Sequence, residues 1–469
     1  MSGFKDTVEQ YLNIFAFPKE KRNQFLFYLA LGFIGLVICI ALENTNWGQS
    51  GINSWFDTFI AQKAKMQGRL ATHPGLILLE IDDKGWQELG KPDQIPRDKL
   101  AAMITTAQQG GAKLIVLDFN LSEADYTPPK QLPGETAPLG GEARDKLLRE
   151  AIDKLRQEGS KTKLLLPVIN YADLSFRENQ FTKLIDNKNI YGVTPAFSRS
   201  LGGDNMVRFW LPYLQGTELG SGKEEILWSI PVTTLAVVGS AAQELAPVKE
   251  QLLAGKTDDI ILPLQREGQL KPFTLYPERY NKSRMAVRDA EHLQYNRIMY
   301  GLYPAGMNAK YPFGNLAGNM SGRWRQKGID NTKLDYKDKI VIIGRSDRNC
   351  NDFVRTPAGR MPGMYVHANS IYTILQDSRP HMTLPVKHLA IECLLIFMTA
   401  FIFTTFNSRL ANILLALLFN ICWIFAYIYF YFSNEFVNLN FSFLGIVIYK
   451  YLRQMETVFG ALGSIKKKS

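Results

Sequence analysis

Two stretches decide the fold of the longest part of this chain: LILLEID (76–82) and KLIVLDFNL (113–121). Both are short apolar runs of the kind that forms buried β-strands. Between them, apolar residues recur at the spacing of one helix face. These residues are Leu100, Met103, Ile104 and Ala107. Strand, helix and strand at this spacing predict a βαβ unit, in which Gly110-Gly111 ends the helix.

The same alternation continues along the chain. Further helices are predicted at 144–158, 229–243 and 368–375, and further strands at 163–169, 206–211, 297–300 and 339–344. Segments 122–141 and 177–205 are rich in Pro, Gly and polar residues and are predicted to be loops or additions. The alternation predicts one α/β domain with a mainly parallel central sheet.

Four apolar runs flank this domain, one before it and three after it. They are 25–42, 389–406, 410–432 and 436–449. The first is long enough to cross a bilayer, and no A-x-A cleavage site follows it, which favours a retained anchor over a cleaved signal peptide. The sequence therefore predicts four transmembrane α-helices, one N-terminal and three C-terminal.

The charges near these runs predict their orientation. Lys and Arg residues precede the first run, lie between the second and third, and follow the fourth, as expected of cytoplasmic loops. The predicted layout is a cytoplasmic N-terminus (1–24), a first helix (25–42), an extracytoplasmic domain (43–383), three more helices (388–406, 410–432 and 436–452) and a basic cytoplasmic tail (453–469). This layout is that of a multi-pass membrane protein with a large exported domain.

The net charge of +10 comes from 54 Lys and Arg against 44 Asp and Glu. Many of these cations lie at membrane ends, so they indicate topology rather than nucleic-acid binding. Of the four cysteines, only Cys350 lies in the predicted domain, which therefore needs no internal disulfide. Glu392 falls inside the second predicted helix, near its outer end, where we expect its carboxylate to reach water.

Longer motifs of the domain resemble those of a known family. They are LEIDDKGWQELG (79–90), IPRDKLAAMITTAQQGGAKLIVLDFNLSEAD (95–125), GGDNMVRFWLP (202–212) and KDKIVIIGRSDRNCNDFVRTPAGRMPGMYVHANSIYTILQ (337–376). Through these motifs and the three helices that follow them, the chain resembles the CHASE-2 domains, the extracytoplasmic sensory modules of bacterial receptors. The departures are the missing Trp residues before Pro96 and the Arg345-Ser346 pair, where the family has Ala and Thr.

The resemblance implies a sensory role, in a multi-pass protein of a bacterial inner membrane with a large periplasmic domain. Family members usually continue into a cyclase, kinase or phosphodiesterase domain, whereas residues 453–469 are too few for a catalytic core. The sequence also contains no P-loop, G-x-S-x-G or HExxH motif. We therefore expect a chain that is not an enzyme and uses no cofactor.

Polar residues end or follow the predicted strands, and in a parallel sheet those ends meet at the edge where ligands bind. The candidate ligand-binding residues are Asp82, Asp118, Asn170 and Arg345 at strand ends, with Asp352 and His367 from the last loop. The alternative is that they cap turns and helices, which Asp and Asn favour. No close metal-ligand spacing is present, so no metal site is predicted.

Two functions are consistent with these features. In the first, the domain binds an unknown small-molecule or protein signal, and the chain acts on a separate membrane protein. In the second, the chain is a structural or assembly subunit of an envelope complex, and the domain is its docking platform. With either function, the chain would contact the lipid bilayer. It would also contact a membrane or envelope protein, or a second copy of itself. The predicted contact is one apolar face of the tail, made of Met455, Val458, Phe459 and Leu462.

Overall fold

A computed structural model describes most of the chain. The described residues are 19–43, 45–67, 75–121, 124–125, 139–157, 159–168, 175–176, 180–194, 197–198, 206–210, 212–218, 222–254, 260–266, 269–275, 298–300, 325–326, 329–330, 335–350, 352–375 and 380–439. Two sets of predicted site residues lie outside these ranges: Asn170, and the tail face of Met455, Val458, Phe459 and Leu462. The chain forms two compact units, one of residues 60–380 and one of residues 1–59 with 381–469.

The helices of the described part are α1 (Lys19–Glu43), α2 (Asn46–Gln67), α3 (Asp83–Glu88), α4 (Arg97–Gln109), α5 (Gly141–Arg156), α6 (Ile230–Val238), α7 (Leu245–Leu253), α8 (Gly363–Leu375), α9 (Pro385–Thr405) and α10 (Ser408–Ser433). The first nine strands are β1 (Leu76–Ile81), β2 (Leu114–Leu117), β3 (Lys163–Pro167), β4 (Ser175–Phe176), β5 (Ile190–Val193), β6 (Phe197–Ser198), β7 (Phe209–Trp210), β8 (Tyr213–Glu218) and β9 (Glu224–Trp228). The remaining strands are β10 (Ile260–Arg266), β11 (Gln269–Leu275), β12 (Arg325–Gln326), β13 (Ile329–Asp330), β14 (Ile340–Arg345), β15 (Phe353–Thr356), β16 (Gly359–Pro362), β17 (His381–Met382) and β18 (Glu435–Phe436).

A five-stranded sheet in the order β1-β14-β2-β3-β5 forms the centre of the larger unit, and all four of its strand pairs are parallel. The predicted parallel α/β architecture is confirmed. The predicted βαβ unit forms, with β1 and β2 parallel in this sheet and β14 between them. One detail of the prediction is wrong. Segment 177–205 is predicted to be loops or additions, but it contains β5, an edge strand of the central sheet.

Helices cover both faces of this sheet. The strands carry apolar side chains on both faces, and these are buried when helices pack against them. On one face, alternate residues such as Leu79, Ile115 and Val341 share a buried core with α4 and α5. On the other face lie α6 and α8, which pack on the sheet and on each other. The helix predicted at 229–243 ends at Val238, and a 3-10 turn and α7 follow it. Among the described residues of the strand predicted at 206–211, only 209–210 form a strand, β7. The described residues 298–300 of the strand predicted at 297–300 are not a strand.

A buried ion network joins α4 to α5. The Nη1 of Arg97 lies 2.5 Å from the Oδ1 of Asp145, and the Nε of Arg144 lies 3.4 Å from the Oδ1 of Asp98. The backbone N–H of Arg97 donates to Asp125, in the segment after β2. Burying ions is costly unless each is paired, so the network fixes the relative positions of these three segments. The side chains of Arg97, Asp98 and Arg144 are each no more than 1% exposed.

The smaller unit contains the described helices that are long and apolar enough to cross a membrane. There are three of them: Lys19–Glu43, Val386–Thr405 and Arg409–Ser433. Helices α1 and α9 pack closely, with Phe25 edge-on to Phe397 at a centroid distance of 5.4 Å. The predicted fourth helix (436–452) is not confirmed. Its first residues, 436–439, are not helical, and the rest lies outside the described ranges. The expectation that the carboxylate of Glu392 reaches water is wrong, because this residue of α9 is 3% exposed.

A parallel two-stranded pair, β17 with β18, joins the chain before α9 to the chain after α10. The backbone N–H of Thr383 also donates to the carbonyl of Phe436 at 2.9 Å. The ring of Phe436 stacks on Phe56 of α2 at 4.4 Å and meets Phe59 edge-on at 5.2 Å. Aromatic packing of this kind adds to the apolar burial that holds β18 in place.

Candidate functional site

Polar side chains of the larger unit gather at the carboxyl edge of the central sheet. Glu80 of β1 lies opposite Gly344 of β14. The register of β14 with β2 ends at Ile343 opposite Leu117, and the N–H of Asp118 donates to the carbonyl of Ile343 at 2.8 Å. Gly344 therefore lies between the two acids on adjacent strands. Because Gly344 has no side chain, Met364 of α8 approaches the sheet closely at this position. A Cβ on Gly344 would lie 2.8 Å from the Cβ of Met364.

The first turns of α8 supply the partners of these acids. The hydroxyl of Tyr365 donates to the Oε2 of Glu80 at 3.0 Å. The Nε2 of His367 lies 3.6 Å from the Oδ1 of Asp118. At the start of the helix, the N–H of Gly363 donates to the carbonyl of Asp352, whose carboxylate occupies the space that a Cβ on Gly363 would fill. The sheet edge and α8 thus bring together one cluster of polar groups. They are the carboxyl groups of Glu80, Asp118 and Asp352, the phenol of Tyr365 and the imidazole of His367.

Burial sets the protonation of this cluster. It raises the pKa of Glu80 from 4.5 to about 7, although hydrogen bonds from Ser346 and Tyr365 lower it. Burial also raises the pKa of Asp118 from 3.8 to about 7. It lowers the pKa of His367 from 6.5 to about 4, although the charge of Asp352 raises it. At neutral pH the imidazole is therefore uncharged, and the two carboxyl groups are near their titration midpoints.

The members of this cluster differ in their exposure to solvent. Asp352 is exposed, the side chain of Asp118 is 14% exposed, that of His367 is 2% exposed, and Glu80 is buried. The cluster can donate hydrogen bonds, accept them and exchange protons. Within the described residues, no group of three or more His, Cys, Asp or Glu side chains is arranged to hold a metal ion.

Two other predicted site residues make local structural contacts at the same edge. Asp82 caps α3, because its Oδ1 accepts from the N–H of Gly85 at 2.8 Å. Arg345 donates to both carboxylate oxygens of Asp347, at 2.8 and 3.0 Å, and to the carbonyl of Asp93 at 2.8 Å. Arg345 therefore ties the loop after β14 to the loop before α4.

The structure thus brings three of the predicted residues together, namely Asp118, Asp352 and His367. Their role in ligand binding stays a prediction. Sequence reasoning missed Glu80 and Tyr365. Glu80 could have been identified from the sequence, because it is the only charged residue in the otherwise apolar strand LILLEI (76–81).

Comparison with known proteins gives one family. A family model described as the CHASE2 domain matches residues 33–405. Comparison with curated proteins gives no match, and comparison with solved structures gives none.

Proposed function

Because this chain belongs to the CHASE2 domain family, a family of extracellular sensory domains, we propose that it is a membrane sensor that receives a signal at the sheet edge and acts on a separate membrane protein. One observation carries the proposal. The cluster of Glu80, Asp118 and His367 is contacted by the first turns of α8. Residues 376–384 alone separate the end of α8 from α9. A ligand that changes the contacts of α8 therefore acts on the chain segment that enters the membrane helices.

The proposed signal is a small polar molecule, and the proposed role is non-catalytic. Hydrogen-bonding groups at the carboxyl edge of a parallel sheet are suited to bind polar ligands. The partner is proposed to be a membrane protein that covers α10. That helix exposes a row of large apolar side chains, namely Ile413, Leu417, Ile421, Ile424, Phe425 and Phe432. Lipid and the helices of a partner both suit such a surface.

A ligand screen tests the sheet-edge site. The full chain in mild detergent would be melted with a panel of small amines, amino acids and carboxylic acids. We expect at least one compound to raise the melting temperature of the wild type by about 5 °C at a hundredfold excess over its Kd. Asp118→Asn and His367→Gln should remove that shift. Asp153→Asn, which changes an exposed residue of α5, should keep it.

The outcome also separates the two candidate functions. A compound that stabilises wild type and Asp118→Asn equally binds elsewhere and contradicts the proposed site. If no compound binds, and a second membrane protein purifies with the chain at fixed stoichiometry whether or not Asp118 is changed, the chain is an assembly subunit instead.

We further propose that both termini are cytoplasmic and that residues 43–383 are periplasmic, with the membrane crossed four times. Alkaline phosphatase fused after Met382 or Asn434 should be active, and the same enzyme fused after Asn407 or Ser469 should be inactive. The expected contrast is at least tenfold, because phosphatase matures only outside the cytoplasm. Green fluorescent protein at the same positions is the control and should give the opposite pattern. Active phosphatase at Ser469 would show that the fourth crossing does not exist.

A further inference from the structure

Helix α6 begins at the same carboxyl edge of the central sheet, beside β5, which lies two strands beyond β2. The N–H of Ile230, its first residue, donates at 3.2 Å to the carbonyl of Thr194, which directly follows β5. Just before the helix, the N–H of Ser229 donates to the carbonyl of Pro212 at 3.0 Å. Pro212 lies two residues after Trp210 of β7. The start of α6 therefore lies next to the end of β5 and next to the chain that follows β7.

Several buried hydrogen-bonding groups around the start of α6 have no hydrogen-bond partner within the described part of the chain. They are the Oγ of Ser229, the Oγ1 of Thr233, the Oγ1 of Thr234 and the Nε1 of Trp210. Each of these four residues is no more than 1% exposed. A buried polar group that makes no hydrogen bond is costly, so we expect a bound molecule or ion to supply the partner.

The helix that packs on α6 shows how buried hydroxyl groups can be satisfied locally. In α8, Ser370 and Thr373 each donate to the backbone carbonyl four residues earlier, at 2.8 and 2.7 Å. Thr233 has the carbonyl of Ser229 at the same spacing, but its hydroxyl does not donate to it. Ser229 is the N-cap residue of α6, yet its side chain makes no capping hydrogen bond. Neither hydroxyl is therefore used by its own helix.

The two ends of α6 differ in the charges that face them. A helix carries partial positive charge at its N-terminus and partial negative charge at its C-terminus. At the C-terminal end a cation is present, because the Nζ of Lys113 donates to the carbonyl of Val238 at 2.9 Å. At the N-terminal end the first turn contains no acidic residue. The charged residue in 206–210 is a further cation, the buried Arg208. These surroundings favour an anion at the start of the helix.

We propose that the start of α6 binds a small monovalent anion of about the size of chloride, through hydrogen bonds from Ser229, Thr233 and Trp210. Hydroxyl groups and the indole N–H can all donate to an anion. Ser229 and Thr233 are one turn apart and share a face of the helix, and helix N-termini favour anions. Because these residues are buried, the site suits a compact ion better than a large organic acid. The site uses no residue of the sheet-edge cluster and does not depend on the proposed sensory function.

Thermal unfolding of the full chain in detergent tests this proposal. The protein is purified throughout in sodium gluconate, whose anion is too large for the site, and is melted in gluconate or in sodium chloride at equal ionic strength. We expect chloride to raise the melting temperature of wild type by about 3 °C at a tenfold excess over its Kd. Thr233→Val and Trp210→Phe each remove one donor, so each should weaken chloride binding by about tenfold.

The matched control is Thr234→Val, which makes the same chemical change at the next residue of α6. Its hydroxyl is also buried and has no partner in the described ranges. However, Thr234 lies about 140° around the helix axis from Ser229, whereas Thr233 lies about 40° from it. We therefore expect this control to keep the response to chloride. Asp118→Asn should also keep it, which separates this site from the sheet edge.

A response of wild type that is no larger than that of Thr233→Val and of Trp210→Phe would overturn the proposal. If Thr233→Val is then less stable than wild type by the same amount in both salts, water is the partner of this hydroxyl. Circular dichroism shows whether each variant is folded. If one of the two variants does not fold, the other and Ser229→Ala decide the question.

Discussion

Replacing Asp145 with asparagine should destabilise the larger unit by about 3 to 5 kcal/mol, the cost of breaking a buried ion pair. The substitution keeps the shape of the side chain but removes the charge that lies 2.5 Å from Arg97. It also weakens the contact with Gln180, whose Nε2 donates to Asp145 at 2.7 Å. The measurement is the thermal and urea unfolding of the full chain in detergent. A decrease of the melting temperature by about 10 °C is expected.

The matched control is Asp153→Asn on the same helix. Asp153 is paired with Arg156 at 3.4 Å, but both side chains are more than 40% exposed, and such pairs contribute little. The double variant Arg97→Met with Asp145→Leu should recover much of the lost stability, since an apolar pair leaves no uncompensated charge. If Asp145→Asn unfolds at the same temperature as the control, the network does not hold α4 to α5.

Replacing Glu80 with glutamine should stabilise the protein at pH 8 by about 3 kcal/mol, the free energy that corresponds to a pKa displaced from 4.5 to about 7. The sign follows from proton linkage. In the unfolded chain the carboxyl group ionises near pH 4.5, whereas in the folded protein it stays protonated to about pH 7. Folding stability therefore decreases as the pH rises through this window and stays low above it. Glutamine cannot ionise and avoids the loss.

The measurement compares the unfolding free energies of wild type and variant between pH 4.5 and 8. Their difference should be near zero at pH 4.5 and should grow until about pH 7. Glu88→Gln on α3 is the control, since its side chain is 42% exposed. A variant that is less stable than wild type at pH 8 would show that the hydrogen bonds from Tyr365 and Ser346 stabilise an ionised Glu80. The predicted gain would mean that the protein keeps a costly acid at this site, which is typical of functional residues.

Much of the fold could be predicted because burial leaves periodic patterns. The largely apolar runs of β1, β2, β3 and β14 are typical of strands covered on both faces. Their order in the sheet could not be predicted, since a short crossover helix allows β1 and β2 to be neighbours or to leave room for β14. Strand β5 has the short sequence IYGV, which lies among polar and glycine residues and gives no clear periodicity.

The candidate site was predictable in part for a different reason. Asp118 follows a strand and His367 lies in a family motif, so topology and resemblance together pointed to them. Tyr365 had no such signal, because an aromatic residue in an apolar helix is usually a core residue. The contact of Arg345 with Asp347 depends on the path of a loop, which residue spacing does not determine. The polar groups at the start of α6 come from two separate segments of the chain, so no local pattern could indicate them.

The pairing of β17 with β18 constrains how the protein is inserted into a membrane. The two strands flank α9 and α10, and they can meet only if both lie on the same side of the bilayer. An insertion intermediate in which a single one of these helices has crossed separates the strands by the full hydrocarbon thickness, about 30 Å. The pair therefore forms only after an even number of crossings. In an inserted protein, the pair joins the two ends of this helical hairpin on one side of the bilayer.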